Sequence, residues 1–453
     1  MTDTPLSIPD LIAQLSDPDP AVRRAAAEAL GEAKAVEAIE LLMQVVQNDP
    51  VKRIRHVALG SVSDMDDPRV IPFLIDLFRD AEMGWSAAQD AGDLAPLSIQ
   101  PLMNVLMDEQ QEIAVRAGAL NGLAACTSSR WAHLESKKNP DILEPIIDLL
   151  IAHFSHEITE LRETAAASFR YVHVRSTTQA RTTVRVSRAT QPLLTLLADP
   201  SPAVRRAAVD SLGCIRDEAA IDPLIACLKD PDSDVRAKTA DMLSYFKSPR
   251  TVPFLIESLT DEVAKVRAEA ALSLGCLDDM RAVEPLLACL TDINLDVLEY
   301  AIKSLGELRD QRALEPIRKI LELEQLEAEP DEDIVFGCYW ALAELGDNRA
   351  LQPLIDRLPD RGTRAWRAAR GLGDLGNPAA FEPLLDAWKS SGWHYGTVMS
   401  RHIIKALKKL DLPKAMAAFT ALSLDDSDPN RQRAAQIALQ RLQGIDPDLP
   451  ASS

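Results

Sequence analysis

A repeated unit of 31 residues constrains this chain more than any other feature of its sequence. Four copies follow one another between residues 192 and 306, and each begins with a proline and a cluster of Leu and Ile residues. One valine recurs at the same place in every copy, at Val204, Val235, Val266 and Val297. Because a fixed period of roughly 20 to 50 residues is typical of stacked repeats, we predict a solenoid rather than a single globular core.

Each copy contains the pattern of two short helices. In the second copy the first apolar stretch starts at Pro223, and proline is favoured in the first turn of a helix. The second stretch starts at Val235 and carries apolar residues at helical spacing. The aspartates between the stretches predict a turn and a helix N-cap. Because glycine is favoured just after a helix, Leu-Gly pairs predict the ends of the second helices at Leu212-Gly213, Leu274-Gly275 and Leu305-Gly306.

These residues resemble the HEAT-like repeats of the phycobilisome-lyase type. The segments that carry the resemblance are Leu15–Gly31, Asp199–Gly213, Asp230–Leu243 and Asp261–Gly275. The resemblance implies an all-α, right-handed superhelix in which second helices line a concave face. From the recurring Val-Arg position of the repeats, we predict about thirteen helix pairs. Their second helices are predicted to begin near Val22, Ile54, Trp85, Val115, Leu161, Val204, Val235, Val266, Val297, Ile334, Ala365, Val398 and Asn430.

Changes in this spacing predict the domain organisation. We expect N-terminal repeats over 1–126, repeats with two basic insertions over 127–190, and regular repeats over 191–321. An acidic insertion at 322–333 holds seven acids and no base, which is typical of a solvated linker. C-terminal repeats and a cap over 334–446 and a tail over 447–453 complete the chain.

Composition limits the classes of function. The formal net charge of −20 argues against nonspecific nucleic-acid binding, which needs clustered Lys and Arg. No apolar run is long enough for a membrane span and no signal peptide is evident, so we expect a cytoplasmic protein, in the monomeric state. The six cysteines lack metal-site spacing, and two pairs recur at equivalent repeat positions, which favours a packing role. We predict no metal and no cofactor.

The two basic insertions are candidate partner-binding segments. The first, residues 127–141, contains Arg130 and Trp131. The second, residues 174–190, has no acid and contains four arginines, Arg175, Arg181, Arg185 and Arg188. Arginine forks suit carboxylate and phosphate groups. The alternative is a solvated loop that lowers the repulsion within an acidic protein.

A third candidate is compositional and lies between residues 361 and 402. Trp, Tyr and Arg are enriched at binding hot spots, and this stretch concentrates them. Arg367 and Arg370 are three residues apart on a predicted second helix, so they share a face. The alternative is that the tryptophans fill gaps between irregular repeats. The predicted ligand or partner cluster contains Arg364, Trp366, Arg367, Arg370, Trp393, His394, Tyr395 and Arg401.

The arginines that follow the repeat valines are predicted to be structural. They are expected to sit beside the aspartates between the helices and to form a ladder that links successive repeats. The arginines are Arg23, Arg205, Arg236 and Arg267, and the aspartates are Asp19, Asp199, Asp234 and Asp261. The ladder is interrupted at Leu298 and Val335, where no arginine follows.

No catalytic motif is evident, and we predict no catalytic residue. The chain lacks a phosphate-binding loop, a HExxH motif and a Cys-x-x-Cys motif. Deoxyhypusine hydroxylases use several His-Glu pairs in a related repeat, whereas this chain has one such pair, His156-Glu157. The resemblance also extends to E/F-type bilin lyases, in which case Arg367 and Arg370 would clamp bilin propionates.

The leading prediction is a non-enzymatic scaffold, adaptor or assembly chaperone that binds another protein. The alternative is a bilin lyase or a chromophore-handling subunit that acts on phycobiliproteins, for which a bilin would be the cofactor. A regulatory subunit of another enzyme is a third, weaker alternative.

Overall fold

The computed structural model describes residues 7–172, 187–360, 362–390, 398–425 and 428–444. Within these ranges the secondary structure is α-helical, with short 3-10 turns and no strand. The chain divides into two compact units, Met1–Phe246 and Lys247–Ser453. No described helix is long and apolar enough to cross a membrane.

The first unit contains fifteen α-helices among its described residues. They are α1 (Ile8–Gln14), α2 (Pro20–Glu32), α3 (Ile39–Asn48), α4 (Lys52–Ser63), α5 (Val70–Leu77), α6 (Gly84–Asp93), α7 (Ile99–Met107), α8 (Ile113–Ser128), α9 (Arg130–Lys138), α10 (Glu144–Ala152), α11 (Thr159–Val172), α12 (Thr190–Leu196), α13 (Pro202–Ile215), α14 (Ile221–Cys227) and α15 (Ser233–Leu243).

The second unit contains eleven described α-helices. They are α16 (Val252–Ser258), α17 (Ala264–Cys276), α18 (Val283–Cys289), α19 (Leu295–Leu308), α20 (Leu314–Glu324), α21 (Glu332–Glu344), α22 (Leu351–Asp356), α23 (Thr363–Leu375), α24 (Phe381–Ser390), α25 (Val398–Ser423) and α26 (Pro429–Leu442). A kink with non-helical backbone at Asp411, two residues before Pro413, divides α25 into two helical segments.

The helices form pairs, as the period predicts. Seven pairs lie in the first unit and six in the second, where the two segments of α25 belong to successive pairs. One helix, α9, is additional and occupies the first basic insertion. Within the described residues the prediction of an all-α solenoid of about thirteen helix pairs is therefore confirmed.

The apolar period forms the core of the stack. The four valines that define the repeat are fully buried, and the most extensive packing within each unit joins successive second helices. Since a single pair cannot cover its own apolar face, each second helix is buried by the next one. Examples are α11 with α13, α17 with α19, and α23 with α25.

The Leu-Gly pairs do not end the second helices, contrary to the prediction. Gly306 lies inside α19, and the left-handed residue that follows the helix is Arg309, with φ 55°. Gly306 is instead a site of close helix approach, because a Cβ there would lie 2.9 Å from the Cα of Ala341 in α21. Gly213 and Gly275 face Met242 and Ser304 in the same way. The Leu-Gly signal therefore marks helix contact rather than helix termination.

Candidate functional site

The arginine after each repeat valine joins its own turn to the turn of the next repeat. Arg205 donates from Nε and Nη2 to the Asp230 carboxylate, at 2.7 Å for each bond. Its Nη1 donates to the carbonyl oxygen of Asp199 at 2.9 Å. The same Asp230 carboxylate accepts the backbone N–H of Asp232 at 2.8 Å. One aspartate thus shapes its own turn and binds the preceding repeat.

The same geometry recurs along the chain and extends to an arginine that the sequence prediction missed. The recurring ion pairs are Arg23–Asp49, Arg162–Asp199 and Arg267–Asp292. These carboxylates belong to the following repeat. Of the aspartates expected beside the arginines, Asp19 caps α2, while Asp199 and Asp261 offer backbone carbonyls to Arg205 and Arg267. Arg236 donates to the carbonyl oxygen of Asp230.

These contacts lower the pKa of the ladder aspartates. Burial raises the pKa of Asp230, yet the hydrogen bond from Arg205 and the turn N–H outweigh it and hold the pKa below its ordinary value. Asp49 and Asp199 show the same balance, with Arg23 and Arg162 as donors. The ladder carboxylates are therefore ionised and saturated with hydrogen-bond donors.

The basic insertions lie only partly within the described residues. Arg130 begins α9, and the neighbouring Trp131 is half-buried. Arg175, Arg181 and Arg185 fall outside the described residues. Arg188 is exposed and forms ion pairs with Glu144 and Asp148 of α10. Its guanidinium group is therefore already engaged within the chain.

The predicted cluster around α23 separates into residues with different partners. Arg364 forms ion pairs with Glu332 at 3.0 Å and Asp333 at 2.7 Å. Trp366 stacks on His402 with ring centroids 4.8 Å apart. Arg401 is exposed on α25. Trp393, His394 and Tyr395 lie outside the described residues.

Arg370 belongs to a buried charge cluster at the C-terminal ends of the second helices. Its Nε lies 3.4 Å from Glu344 and 3.7 Å from Asp374, and its guanidinium carbon lies 5.3 Å from the Trp340 ring centroid. Arg309 binds both carboxylates as well. Arg370 therefore differs from the free propionate clamp that the bilin alternative requires.

Glu344 and Asp374 lie in the same charge cluster, and their pKa values are shifted in opposite directions. Burial and the hydrogen bond to Asp374 raise the pKa of Glu344 to about 7. The pKa of Asp374 is lowered, because the ion pairs with Lys409 and Arg309 and the hydrogen bond with Glu344 outweigh its burial. We therefore expect Glu344, rather than Asp374, to take up a proton first as the pH falls.

A groove lies between α19, α21 and α23. Two of these helices, α21 and α23, also carry Glu344 and Asp374 of the charge cluster near their C-terminal ends. Its volume is about 50 Å³. The aromatic rings of Phe336 and Trp340, which are 6% and 4% exposed, form its apolar lining. The other lining residues are Glu299, Lys303, Asp333, Gly337, Thr363, Arg364 and Arg367. We call this site the α19–α21–α23 groove.

Gly337 leaves space in the groove without serving the packing of the helices. A Cβ at this position would have one neighbour within 4 Å, Ile302 Cγ2 at 3.9 Å. At Gly373 of α23, by contrast, a Cβ would meet the Cα of Ala406 at 2.7 Å. A glycine inside a helix costs about 0.5–1 kcal/mol relative to alanine. Gly337 therefore destabilises α21 where no packing constraint excludes a side chain.

Three residues that line the groove carry polar groups without a described ion pair or hydrogen bond. Arg367 is half-buried, and its guanidinium carbon lies 5.7 Å from the Trp366 ring centroid, but it forms no ion pair with a described carboxylate. Lys303 is also half-buried and forms no such ion pair. The buried Trp340 Nε1 lacks a described hydrogen-bond acceptor. The one lining acid without a described ion pair is Glu299. Burial and Asp333 raise its pKa, while the charges of Arg367 and Lys303 lower it.

The sequence prediction found Arg364 and Arg367 but missed the other side of the groove. Lys303, Phe336, Gly337 and Trp340 come from two neighbouring second helices. An alignment of the second helices, residue by residue, could have predicted that these residues share one face. It places Phe336 and Arg367 two residues after the repeat positions Ile334 and Ala365.

Comparison with family models shows to which protein family the chain belongs. The model of HEAT repeats matches residues 8–91, 158–243, 190–275, 221–298, 253–328, 283–366 and 359–440. The chain belongs to the HEAT-repeat family. A comparison with curated proteins returned no match.

Solved HEAT-like structures share the fold at low sequence identity. Kap121p bound to Nup53p has a TM-score of 0.53 and 14% identity, over 98% of this chain and 57% of that one. Kap121p bound to Pho4p has a TM-score of 0.51 and 15% sequence identity, over 98% of this chain and 58% of that one. This chain thus spans a little over half of Kap121p. The CpcE and CpcF complex of phycocyanin lyase from Nostoc sp. PCC7120 has a TM-score of 0.41 and 21% sequence identity, over 56% of this chain and 94% of that one. At these identities the similarity concerns the fold alone.

Proposed function

We propose that this HEAT-repeat chain is a non-enzymatic scaffold, adaptor or assembly chaperone that binds a segment of another protein. The α19–α21–α23 groove is the binding site. The observation that carries the proposal is the coexistence of an apolar aromatic lining with half-buried cations that have no described ion-pair partner. Arg and Trp are the residue types most enriched at binding hot spots, where desolvated pockets surround them.

The ladder arginines support this choice by contrast. They are saturated by aspartates and carbonyls, so they contribute to the stacking of repeats and have little capacity left for a partner. Arg188 of the second basic insertion is likewise engaged by α10. The remaining arginines of that insertion, Arg175, Arg181 and Arg185, are proposed as a secondary contact. Their combined charge reversal should weaken partner capture.

The proposal is tested by selecting a random peptide library on the full chain. We expect enriched peptides that lose binding to Gly337→Leu, since the larger side chain would fill the groove. Arg206→Glu is the matched control, because Arg206 is exposed and stands two residues after Val204, as Arg367 does after Ala365. A library without enriched peptides, or peptides that bind Gly337→Leu as well as the parent chain, would contradict the proposal.

A separate absorption experiment distinguishes the bilin alternative. Phycocyanobilin is mixed with the full chain and its visible spectrum is recorded. Under the scaffold proposal we expect an unchanged spectrum. A spectral shift that Arg367→Glu abolishes would favour chromophore handling instead.

A further inference from the structure

We propose that the α19–α21–α23 groove recognises a single acidic side chain next to an apolar one, in a partner segment that is not acidic overall. This inference rests on the proposed function and adds the chemistry of the ligand. The carboxylate would bind Arg367 and Lys303, and the apolar side chain would pack against Phe336 and Trp340.

The polar groups without described ion pairs indicate the sign of the charge on the ligand. Arg367 and Lys303 are both hydrogen-bond donors with a positive charge. Glu299 is the one unpaired acceptor with a charge. A half-buried guanidinium without a counter-ion loses part of its hydration, and a carboxylate can restore its hydrogen bonds in bidentate geometry. The excess of donors therefore favours an anionic ligand.

The other charges of the groove do not change this balance. Arg364 is neutralised by Glu332 and Asp333, with which it forms short ion pairs. Two cations without described ion pairs, Arg367 and Lys303, thus face one acid, Glu299. A basic ligand would meet Arg367 and Lys303 at close range, where unscreened like charges repel.

The size of the groove limits how much of the partner enters it. A volume of about 50 Å³ is less than that of two side chains, so only the end of the apolar side chain enters the groove. The carboxylate would bind the half-buried Arg367 and Lys303 at its edge, and the partner main chain remains outside. The aromatic lining selects an apolar side chain at this point. Gly337 leaves the groove open, because a larger side chain at this position would project from α21 into it.

The charge of the whole protein restricts the rest of the partner segment. At a net charge of −20 the chain repels an acidic tract before contact. A single carboxylate in a neutral or weakly basic segment avoids this repulsion and still reaches the two cations. The partner is therefore defined by a pair of adjacent residues, one apolar and one acidic.

The test uses an array of acetylated, amidated nonapeptides probed with the fluorescently labelled full chain. The central pair is Leu-Asp, Phe-Asp, Leu-Asn, Ser-Asp, Leu-Lys or Leu-phosphoserine, with randomised flanks of Ser, Gly, Ala and Lys. The best Asp peptide and its Asn counterpart are then compared by fluorescence anisotropy. We expect the Asn peptide to bind roughly 10- to 100-fold more weakly, as expected for loss of a charge-assisted hydrogen bond.

Variants assign this difference to the groove. In Arg367→Gln the Asp and Asn peptides should bind with nearly equal affinity, whereas Arg206→Gln should retain the full difference. Gly337→Leu should lose both peptides. Circular dichroism establishes that each variant remains helical, so that a loss of binding is not a loss of folding.

Several outcomes would overturn the inference. Equal binding of the Asp and Asn peptides, or preference for Lys, would contradict an acidic ligand. Stronger binding of phosphoserine than of Asp would indicate a phosphopeptide site. A concentration-dependent dimer that Arg367→Glu abolishes in sedimentation would identify a second copy of the chain as the occupant. If designed peptides fail while library-selected peptides bind the groove, the ligand chemistry is wrong and the scaffold proposal stands.

Discussion

Arg267 and Arg367 occupy adjacent positions of the repeat, yet they differ in their partners. Arg267 follows Val266 directly and donates twice to Asp292 and once to the carbonyl oxygen of Asp261. Arg367 stands two residues after Ala365 and has no described ion-pair partner. One step along a helix rotates a side chain by about 100°, from the edge that carries the turns to the face of the second helix. The edge therefore serves stacking, and the face is available for binding.

This contrast separates stability from recognition within one repeat. Charges at the turns are saturated, as a repeating interface requires, because each repeat is stabilised mainly by its neighbours. On the second-helix face at the α19–α21–α23 groove, Arg364 is paired, whereas Arg367 and Lys303 form no described ion pair. Substitutions at the edge should therefore change stability, and substitutions at the groove should change binding with little effect on stability.

The largest expected effect is that of Arg267→Ala. Removal of the guanidinium leaves the largely buried Asp292 carboxylate without its counter-ion and should lower the free energy of unfolding by about 2 to 4 kcal/mol. The measurement is urea unfolding followed by circular dichroism. Arg206→Ala, at the neighbouring position of another repeat, should change stability by less than about 0.5 kcal/mol. Similar losses in both variants would remove the distinction between edge and face.

A pH dependence is expected from Glu344. Its pKa of about 7 in the folded chain exceeds the ordinary value of 4.5, so the folded chain binds a proton that the unfolded chain has released in this window. The resulting stability is present in full below about pH 4 and is lost as the pH rises toward 7.

Glu344→Gln keeps a neutral side chain at every pH and should abolish this loss. Between pH 5 and 7.5, the stability of the parent chain relative to Glu344→Gln should fall by on the order of 2 kcal/mol. Unfolding curves recorded across this range check it. Asp374, with its lowered pKa, titrates below the window. Parallel pH profiles for the two chains would show that no proton is taken up at Glu344.

Gly373→Ala tests the role of helix-contact glycines. The added Cβ would lie 2.7 Å from the Cα of Ala406, and backbone cannot move aside cheaply. We expect a loss of roughly 1 to 3 kcal/mol from overpacking between α23 and α25. Thermal unfolding of the variant measures it. An unchanged midpoint would mean that the two helices can separate without cost.

The smallest expected effect has the opposite sign and concerns Gly337→Ala. Because a Cβ fits at this position, the variant should be more stable by about 0.5–1 kcal/mol. The same unfolding experiment as for Gly373→Ala provides the comparison. Destabilisation would show that Gly337 serves packing, and the argument that it maintains the groove would fail.

The sequence was sufficient to predict the repeat architecture. The buried valines at a period of 31 residues and the thirteen helix pairs follow from local patterns, because each repeat packs on its immediate neighbours. The same patterns misplaced the helix ends. The Leu-Gly pairs indicated C-terminal caps, whereas Gly306 lies within a helix against Ala341 of the next repeat. The glycine serves close contact with the next repeat, whereas the sequence pattern suggested the backbone preference of glycine at a helix end.

The tertiary structure decided which of the many arginines are available. From the sequence alone, Arg364, Arg367 and Arg370 form one basic cluster on one helix. In the structure Arg364 is neutralised by α21 and Arg370 by Glu344 and Asp374, so Arg367 alone of the three lacks a described counter-ion. The carboxylates that neutralise Arg364, and the Glu344 that binds Arg370, come from α21, about 25 to 35 residues earlier in the chain. Local sequence determined the helices, and the packing between repeats determined which charges remain to bind a partner.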